Sequence, residues 1–205
     1  MKRIFIFFKI LTKTFLDKFL KFFRNIYARL FFAYRGYYLR KPFLVRNCNF
    51  IKINGRGSIS QGARIEFYAN KEGTNPSLTL GNNVVIMYNC TMLISSNLKI
   101  DDNAMIASNV LITTENHGMN PLLGNYIEQD LVSADVKIGK NVRIGEKCVI
   151  LPGVSIGDNS IIGSGSVVTK NIPANCLACG TPARVIKVFD LSKGIWIKVG
   201  EKVDI

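Results

Sequence analysis

A six-residue period runs without a gap through residues 138 to 173, which read IGKNVR IGEKCV ILPGVS IGDNSI IGSGSV VTKNIP. The first position is aliphatic in all six hexads: Ile138, Ile144, Ile150, Ile156, Ile162 and Val168. The fourth position is Asn or Gly in five of them: Asn141, Gly153, Asn159, Gly165 and Asn171. Asn and Gly tolerate the positive φ that a tight corner needs. Each hexad therefore predicts one short strand with an inward aliphatic side chain, followed by one corner.

Three such hexads close a triangular coil, and stacked coils align their inward side chains in a continuous buried column. The same period can be followed upstream, in stretches that begin at Ile53, Leu80 and Ile100. Burial of each large apolar side chain contributes ~1.5 to 3 kcal/mol, so the column is expected to be the main source of stability. The repeat predicts an all-β fold, a parallel β-helix.

Two segments interrupt the period, residues 71 to 77 and residues 118 to 135. The second is too long for a corner, and the repeat resumes cleanly at Ile138, so this segment is predicted to project as an arm. The arm starts directly after His117, the only histidine among the 205 residues. A long excursion from a regular scaffold is usually functional, which makes His117 a candidate site residue.

Residues 1 to 41 differ from the rest of the chain in charge and aromatic content. They carry eleven Lys or Arg against one acid, which is +10 of the formal net charge of +13. Apolar residues recur there at spacings of three and four and predict an amphipathic helix. The predicted stripe consists of Phe8, Leu11, Phe15, Phe19, Phe22, Ile26 and Leu30. The longest apolar run, residues 4 to 8, is far shorter than the ~20 residues of a membrane-spanning helix.

Two compatible interpretations of this stripe remain open. It packs on the protein's own core or on a neighbouring subunit, or it contacts an anionic membrane, where each basic residue contributes about 1 kcal/mol. A nucleic-acid arm would be equally basic but rarely so rich in Phe, so we predict no nucleic-acid partner. The odd number of cysteines, five, indicates reduced thiols in a cytoplasmic protein, which the stripe would hold at the inner face of the membrane.

These patterns divide the chain into three parts. Residues 1 to 45 form the basic amphipathic helical segment, residues 50 to 187 form the β-helix with its projecting loop at 118 to 135, and residues 188 to 205 form a C-terminal tail. The pair Cys176 and Cys179 has C-x-x-C spacing, but one pair without nearby histidines does not indicate a metal site, and none is predicted.

The hexads, the single histidine and the ending GSGSVVTKNIPANCLACGTPARVIK together resemble the hexapeptide-repeat acyltransferases. Within these, residues 50 to 187 look most like the galactoside, maltose and polysaccharide O-acetyltransferases. The resemblance implies a left-handed parallel β-helix, a homotrimer, and acetyl-coenzyme A in the groove between neighbouring subunits. It also implies acetylation of a sugar hydroxyl, here of a surface polysaccharide or its precursor.

The same resemblance assigns roles to individual residues. The family's catalytic histidine lies just before the projecting loop, where His117 falls, and would act as general base on the sugar hydroxyl without an acyl-enzyme. The backbone N–H of Glu146 matches the oxyanion donor. Matches along the pantetheine path are Gly145, Glu146, Gly163 and Ser164. Matches near the adenosine and phosphate end are Thr169, Lys170, Arg184 and Lys187, whose three cations suit a polyphosphate.

The chain departs from the family pattern near the acceptor. Arg143 stands where many of these enzymes have Trp, and Met87 stands where the galactoside enzymes have an acceptor-binding Asn. An acidic pair nearby falls at Ile94 and Ser95. The acceptor is therefore not predicted to be galactoside or maltose itself. Asn89 and Arg143 become the candidate acceptor-binding residues, and Arg143 would suit a negatively charged sugar.

Other functions stay open at this point. The motif does not determine the acceptor side chains, so serine and amino sugars are alternative acceptors. A zinc hydratase on the same scaffold would need about three histidine ligands, and the chain has one histidine. The alternative from another class is a non-catalytic trimeric β-helix scaffold, which would not bind acetyl-coenzyme A.

Overall fold

Stacked coils of short strands and the corners between them make up most of the protein, in a computed structural model that describes residues 19–20, 22–41, 43–68 and 75–200. The strands of the six successive coils are β1 (Tyr37–Leu39), β2 (Phe43–Val45) and β3 (Ile51–Ile53); β4 (Gly57–Ile59), β5 (Ala63–Phe67) and β6 (Ser77–Leu80); β7 (Val84–Ile86), β8 (Thr91–Ile94) and β9 (Asn97–Ile100); β10 (Met105–Ile106), β11 (Leu111–Thr113), β12 (Glu115–His117), β13 (Leu131–Ser133) and β14 (Val136–Ile138); β15 (Arg143–Ile144), β16 (Val149–Ile150) and β17 (Ser155–Ile156); and β18 (Ile161–Ile162) and β19 (Val167–Val168). The chain ends in β20 (Cys176–Gly180), β21 (Ala183–Asp190) and β22 (Ile195–Lys198).

Equivalent strands of successive coils pair in parallel and form three sheets. Sheet A contains β1, β4, β7, β10, β15, β18 and β20, sheet B contains β2, β5, β8, β11, β16 and β19, and sheet C contains β3, β6, β9, β14 and β17. The fold is a left-handed parallel β-helix, as the repeat and the resemblance predicted. Each coil turns three times, and we name the resulting edges A–B, B–C and C–A after the sheets that meet there.

The aliphatic first positions of the hexads line the interior, and each sheet supplies one column. In sheet A the column includes Ile86, Ile106, Ile144 and Ile162, which lie in register and are at most 1% exposed. The matching columns are Ile65, Met92, Ile112, Ile150 and Val168 in sheet B, and Leu80, Ile100, Ile138 and Ile156 in sheet C. The predicted continuous core is confirmed, since all of these side chains are buried.

The corners use the backbone conformation that the repeat predicted. Asn141, Gly153, Asn159 and Gly165 have φ between 55° and 80°. Asn171 does not have a positive φ. Its side-chain oxygen accepts a hydrogen bond from the Ser155 N–H at 2.8 Å. The corner asparagines also stabilise one another along the C–A edge: Asn141 donates to Asn159 at 3.0 Å, and Asn159 donates to Asn175 at 3.1 Å.

A helix, α1 (residues 19–20 and 22–34), precedes the first coil. It packs on the β-helix through Ala28 and Phe32, which are fully buried. Phe22, Ile26 and Leu30 of the predicted stripe are on the other side and are 58%, 37% and 64% exposed. These three residues therefore do not pack on the protein's own core, and contact with a neighbouring subunit or with a membrane stays a prediction. The stripe residues Phe8, Leu11 and Phe15 lie outside the described residues.

Both ends of the β-helix extend beyond the predicted bounds. Strands β1 and β2 lie within the segment 1–45 that was predicted as helical, yet they pair with β4 and β5 as the first coil. Every second side chain of β1 and β2 enters the core, as expected for strands of the β-helix: Tyr37, Leu39, Phe43 and Val45 are buried. At the other end, β21 runs antiparallel to β20 and crosses the predicted boundary at residue 187, and β22 pairs with β21.

The cysteines have free thiols, and four of the five are buried, with Cys179 partly exposed. Burial raises the pKa of the Cys90 thiol to about 11. The helices within the described ranges include none that is long and apolar enough to cross a membrane.

Candidate active site

The arm leaves the β-helix at the B–C edge of the fourth coil, between β11 and β14. Its two ends pair as antiparallel strands, with His117 of β12 opposite Leu131 of β13. The His117 side chain is exposed. The segment between these strands projects from the β-helix, and His117 lies at the base of the projection.

Polar contacts hold this base in place on both sides. Buried Thr114 accepts hydrogen bonds from the N–H groups of Ser95 at 2.8 Å and Ser96 at 3.0 Å. On the returning side, the Asp135 carboxylate accepts from the Ser96 hydroxyl at 2.6 Å and from the Asn97 N–H at 3.0 Å. Burial opposes ionisation of Asp135, but these hydrogen bonds outweigh it and hold its pKa below the ordinary value. His117 therefore belongs to a fixed base, while the tip of the arm is solvent-exposed.

Glu115 lies two residues before His117 and so on the same side of β12. Its backbone is bonded to the Thr113 hydroxyl, which donates to the Glu115 carbonyl at 2.9 Å. Both side chains are described, and no hydrogen bond or ion pair joins Glu115 to His117. The structure gives no support to an orienting role for Glu115.

The predicted pantetheine residues Gly145, Glu146, Gly163 and Ser164 stack at the A–B edge of the fifth and sixth coils. The Gly145 N–H donates to Ile162 at 2.8 Å, and the Gly165 N–H donates to Glu146 at 2.7 Å. A Cβ at Gly145 would lie 2.6 Å from the Ser164 nitrogen. Glycine is therefore required here by coil stacking, independently of any ligand.

This edge exposes backbone donors. Around the corner at Glu146, the neighbouring N–H groups of Gly145 and Lys147 donate to carbonyls of adjacent coils. Among the residues that the structure describes, no acceptor is found for the Glu146 N–H itself, and the same is true of Ser108 and Ser164. The A–B edge thus presents a row of N–H groups that could bind a carbonyl oxygen or an oxyanion.

The cations predicted for the phosphate end do not all lie together. Lys170 and Arg184 line one cleft of about 300 Å³ at the C-terminal end of the β-helix, beside Asn171. Thr169 precedes Lys170 at the B–C edge. Lys187 lies instead on the outer face of sheet A, opposite Leu177 of β20 and Lys198 of β22. Two converging cations in one cleft fit the phosphates of a coenzyme A.

Two different edges of the prism therefore carry the predicted site residues. His117 is at the B–C edge, with Lys170 two coils further along the same edge. Gly145 and Glu146 are at the A–B edge. Asn89 is also at the A–B edge, where its φ of 57° makes the corner and its side chain packs over Gly62. One chain alone does not bring the imidazole and the pantetheine positions together.

A charged cluster that the sequence patterns did not reveal lies on the outer face of sheet B. The Glu66 carboxylate is buried and accepts hydrogen bonds from Arg64 at 2.6 Å and from the Tyr68 hydroxyl at 2.7 Å, and Arg46 lies 3.2 Å from its other oxygen. Burial opposes ionisation of Glu66, but the bonds from Tyr68 and Arg64 prevail and lower its pKa. Arg64, Glu66 and Tyr68 stand at every second position along β5 and the residue after it, and this alternation could have revealed the cluster from the sequence.

Comparison with known proteins identifies the family. The family described as bacterial transferase hexapeptide (six repeats) matches residues 135–170. A galactoside acetyltransferase solved in complex with coenzyme A is 32% identical, with a TM-score of 0.61 over 77% of this chain and 74% of that chain. The chain belongs to the hexapeptide-repeat acyltransferases.

Two curated relatives of this hexapeptide-repeat acyltransferase come from Escherichia coli K12. The galactoside O-acetyltransferase is 41% identical over 123 residues, which are 60% of this chain and 60% of that protein. This chain therefore spans less than two thirds of that relative. WbbJ, provisionally named a lipopolysaccharide biosynthesis O-acetyl transferase, is 29% identical over 167 residues, which are 78% of this chain and 83% of that protein.

In this member of the family Arg143 lies on the outer face of sheet A. It is in register with Met105 of the preceding coil and Ile161 of the following one. Its side chain is exposed between apolar neighbours. Arg143 is two residues before Gly145, so it is beside the A–B edge and away from the edge that carries His117.

Proposed function

We propose that this chain is an acetyl-CoA-dependent O-acetyltransferase that acetylates a sugar hydroxyl of a surface polysaccharide or its precursor. The observation that carries the proposal is the position of the only histidine, on the fixed base of an arm, in a β-helix of the acyltransferase family. The names of the relatives support the reaction class, since one is a galactoside O-acetyltransferase and another is provisionally assigned to lipopolysaccharide biosynthesis. The coenzyme A in a related structure supports the acyl donor.

The working unit that we propose is a homotrimer, because two edges of the prism must meet. The B–C edge of one protomer, with His117, would face the A–B edge of the next, with Gly145 and Glu146. The outer faces support this arrangement. Sheet A, and sheet B from the fourth coil onward, carry half-buried apolar side chains on their outer surfaces: Val85, Ile161 and Leu177 in sheet A, and Leu111, Val149 and Val167 in sheet B. The outer surface of sheet C carries Lys52, Lys99 and Lys137 instead.

In the proposed reaction, His117 takes the proton of the sugar hydroxyl while that oxygen attacks the acetyl carbonyl carbon. Histidine suits the role because an unperturbed imidazole is largely neutral near neutral pH. The N–H of Glu146 from the neighbouring protomer donates to the developing oxyanion. The proton passes from the imidazolium to the departing thiolate of coenzyme A. Lys170 and Arg184 hold the phosphates through charge-assisted hydrogen bonds.

Binding of acetyl-CoA tests the proposal directly. We expect the melting temperature to rise with acetyl-CoA concentration, since a ligand at one hundred times its Kd stabilises the folded state by about 2.7 kcal/mol. Lys170→Gln and Arg184→Gln should weaken this response, while Lys52→Gln on sheet C should not. The absence of any stabilisation at millimolar acetyl-CoA, together with no acetyl transfer, would favour the scaffold alternative.

We further propose that the enzyme is cytoplasmic and contacts an anionic membrane peripherally through α1. Large apolar side chains cover the side of α1 that faces away from the β-helix: Phe19, Leu20, Phe22, Phe23, Ile26, Tyr27, Leu30 and Tyr34. Arg29 and Arg35 are exposed nearby. An apolar helical face flanked by basic residues is the pattern of helices that lie in the interface of anionic bilayers.

Co-sedimentation with vesicles that contain phosphatidylglycerol measures this contact. The double variant Phe22→Ser with Phe23→Ser should bind at least about tenfold more weakly. It removes two side chains whose burial in the membrane would each contribute ~1.5 to 3 kcal/mol to the binding free energy. Leu191→Ser with Val199→Ser is the matched control, since both residues are exposed outside α1. Unchanged vesicle binding would contradict the proposal, and loss of the trimer in the α1 variant would assign this face to a subunit contact.

A further inference from the structure

The charged cluster on sheet B is organised around one buried carboxylate. The side chain of Glu66 is 5% exposed, whereas those of Arg46 and Arg64 are 56% and 49% exposed. One carboxylate oxygen lies 3.2 Å from the Arg46 Nε, and the other accepts from the Arg64 Nε at 3.1 Å, in addition to its shorter bond from that guanidinium. Glu66 thus orients two guanidinium groups that remain open to solvent, and the cluster keeps one net positive charge.

The position of the cluster links it to the arm. Glu66, Leu93 and Thr113 are in register on three successive coils, and Thr113 directly precedes the strand pair of the arm. At ~4.8 Å per coil, Glu66 lies roughly 10 Å from the level of Thr113. Tyr68 is the next outward-facing residue after Glu66, and its backbone N–H donates a hydrogen bond to the Ile94 carbonyl at 2.8 Å. The adjoining Ser95 hydroxyl is bonded to that of Ser133, in β13, at 2.7 Å.

These hydrogen bonds therefore connect the cluster to the arm along the edge that carries His117. The pKa of Tyr68 is raised chiefly by its hydrogen bond to Glu66 and by burial, and the negative charge of Glu115, at the base of the arm, contributes in the same direction. An acceptor with its reacting hydroxyl at His117 would extend along this edge toward the N-terminal coils. Among the residues that the structure describes, the two guanidiniums of the cluster are positive groups toward which it would extend.

A purely structural role accounts poorly for this arrangement. Half-exposed ion pairs contribute little to stability, and a carboxylate as buried as Glu66 loses its hydration. Neighbouring outward positions on the same sheet, such as Leu93, Leu111 and Val149, use apolar side chains instead. Orienting two guanidiniums for a ligand is a role that an apolar residue at position 66 could not fill.

We propose that Arg46 and Arg64 bind an anionic oxyacid group, a carboxylate or a phosphate, of the acceptor, with Glu66 as the residue that positions them. Guanidinium suits either group because its planar N–H fork matches two oxygens at once. The inference rests on the proposed function, since the acceptor is the sugar whose hydroxyl is acetylated. It narrows the acceptor class to acidic or phosphorylated sugars.

Three matched acceptors test this: a neutral glucoside, the corresponding glucuronide and the corresponding glucose phosphate, each with saturating acetyl-CoA. We expect a lower KM for the two anionic acceptors, and the better of these identifies carboxylate or phosphate as the recognised group. Arg46→Gln and Arg64→Gln should raise the KM for the anionic acceptors about tenfold and so reduce the preference for anionic over neutral acceptors. Glu66→Gln should reduce the same preference by releasing the guanidiniums.

Arg56→Gln is the control, because this exposed arginine lies at the C–A edge and its loss changes the net charge equally. Equal KM values for neutral and anionic acceptors in the unmodified protein, or equal effects of Arg56→Gln and Arg64→Gln, would overturn the proposal. If no sugar is acetylated, the proposed function fails, and calorimetric titration of the glucuronide and the phosphate still tests the site. Binding weakened by Arg46→Gln and Arg64→Gln but not by Arg56→Gln would uphold it, and no difference among the three would refute it.

Discussion

Replacing His117 with alanine is expected to lower the kcat for acetyl transfer by about 10² to 10⁴, the usual contribution of general base catalysis. The physical reason is that, in the proposed reaction, the sugar hydroxyl would then have no group to accept its proton as it attacks the thioester. The KM for acetyl-CoA should change little, because the predicted cofactor residues lie at another edge and at the C-terminal end. Initial rates of coenzyme A release, measured at several acetyl-CoA concentrations, separate the two quantities.

Asn116→Ala is the matched control for this variant. Asn116 is exposed on the same strand, β12, but its side chain lies on the opposite side from that of His117. Its loss should leave kcat within about twofold, and both variants should keep the size and the melting temperature of the unmodified protein. Added imidazole should partly restore the rate of His117→Ala. Full activity of His117→Ala would eliminate the histidine as the base.

The largest effect on stability is expected for the column of sheet A. Ile144→Ala should lower the free energy of unfolding by about 2 to 5 kcal/mol, the range observed when a large aliphatic side chain is removed from a packed core. Ile144 is fully buried and in register with Ile106 above and Ile162 below. Stacked coils leave little freedom to close the cavity, because each backbone is bonded to the coils on both sides. Equilibrium unfolding in urea at one protein concentration measures the difference.

Ile127→Ala makes the same chemical change at a different place. Ile127 is on the arm and 82% exposed, so its replacement should alter the free energy of unfolding by no more than about 0.5 kcal/mol. Comparable destabilisation by both variants would mean that the hexad positions do not carry the stability of the fold. A selective loss in Ile144→Ala would confirm that they do.

The sequence alone was sufficient to predict the parallel β-helix, because each hexad of the repeat places the same residue types at the same positions. An aliphatic residue at every sixth position and Asn or Gly at the fourth, as at Ile144 and Asn141, specify a buried strand and a positive-φ corner. Both requirements are local, so no knowledge of distant contacts was needed. The same regularity made the arm visible as an interruption and drew attention to His117. Resemblance to a family then supplied the candidate cofactor positions.

Only the tertiary structure decided which residues share an edge. Spacing along the chain did not reveal that His117 and Gly145 lie at different edges, or that Lys170 meets Arg184 in a cleft from which Lys187 is absent. It also did not reveal that α1 uses Ala28 and Phe32 to pack on the β-helix, which leaves its aromatic stripe exposed.

The cluster around Glu66 shows the same limit of local reasoning. Arg64 and Glu66 of β5 alternate with Tyr68, which directly follows that strand, but Arg46 joins them from the preceding coil. The arm reaches the same edge two coils further on. The physical reason is that a hexad determines whether a side chain faces inward or outward, whereas its neighbours above and below depend on the lengths of the intervening coils. Coil stacking, which the whole chain sets, brings these side chains together.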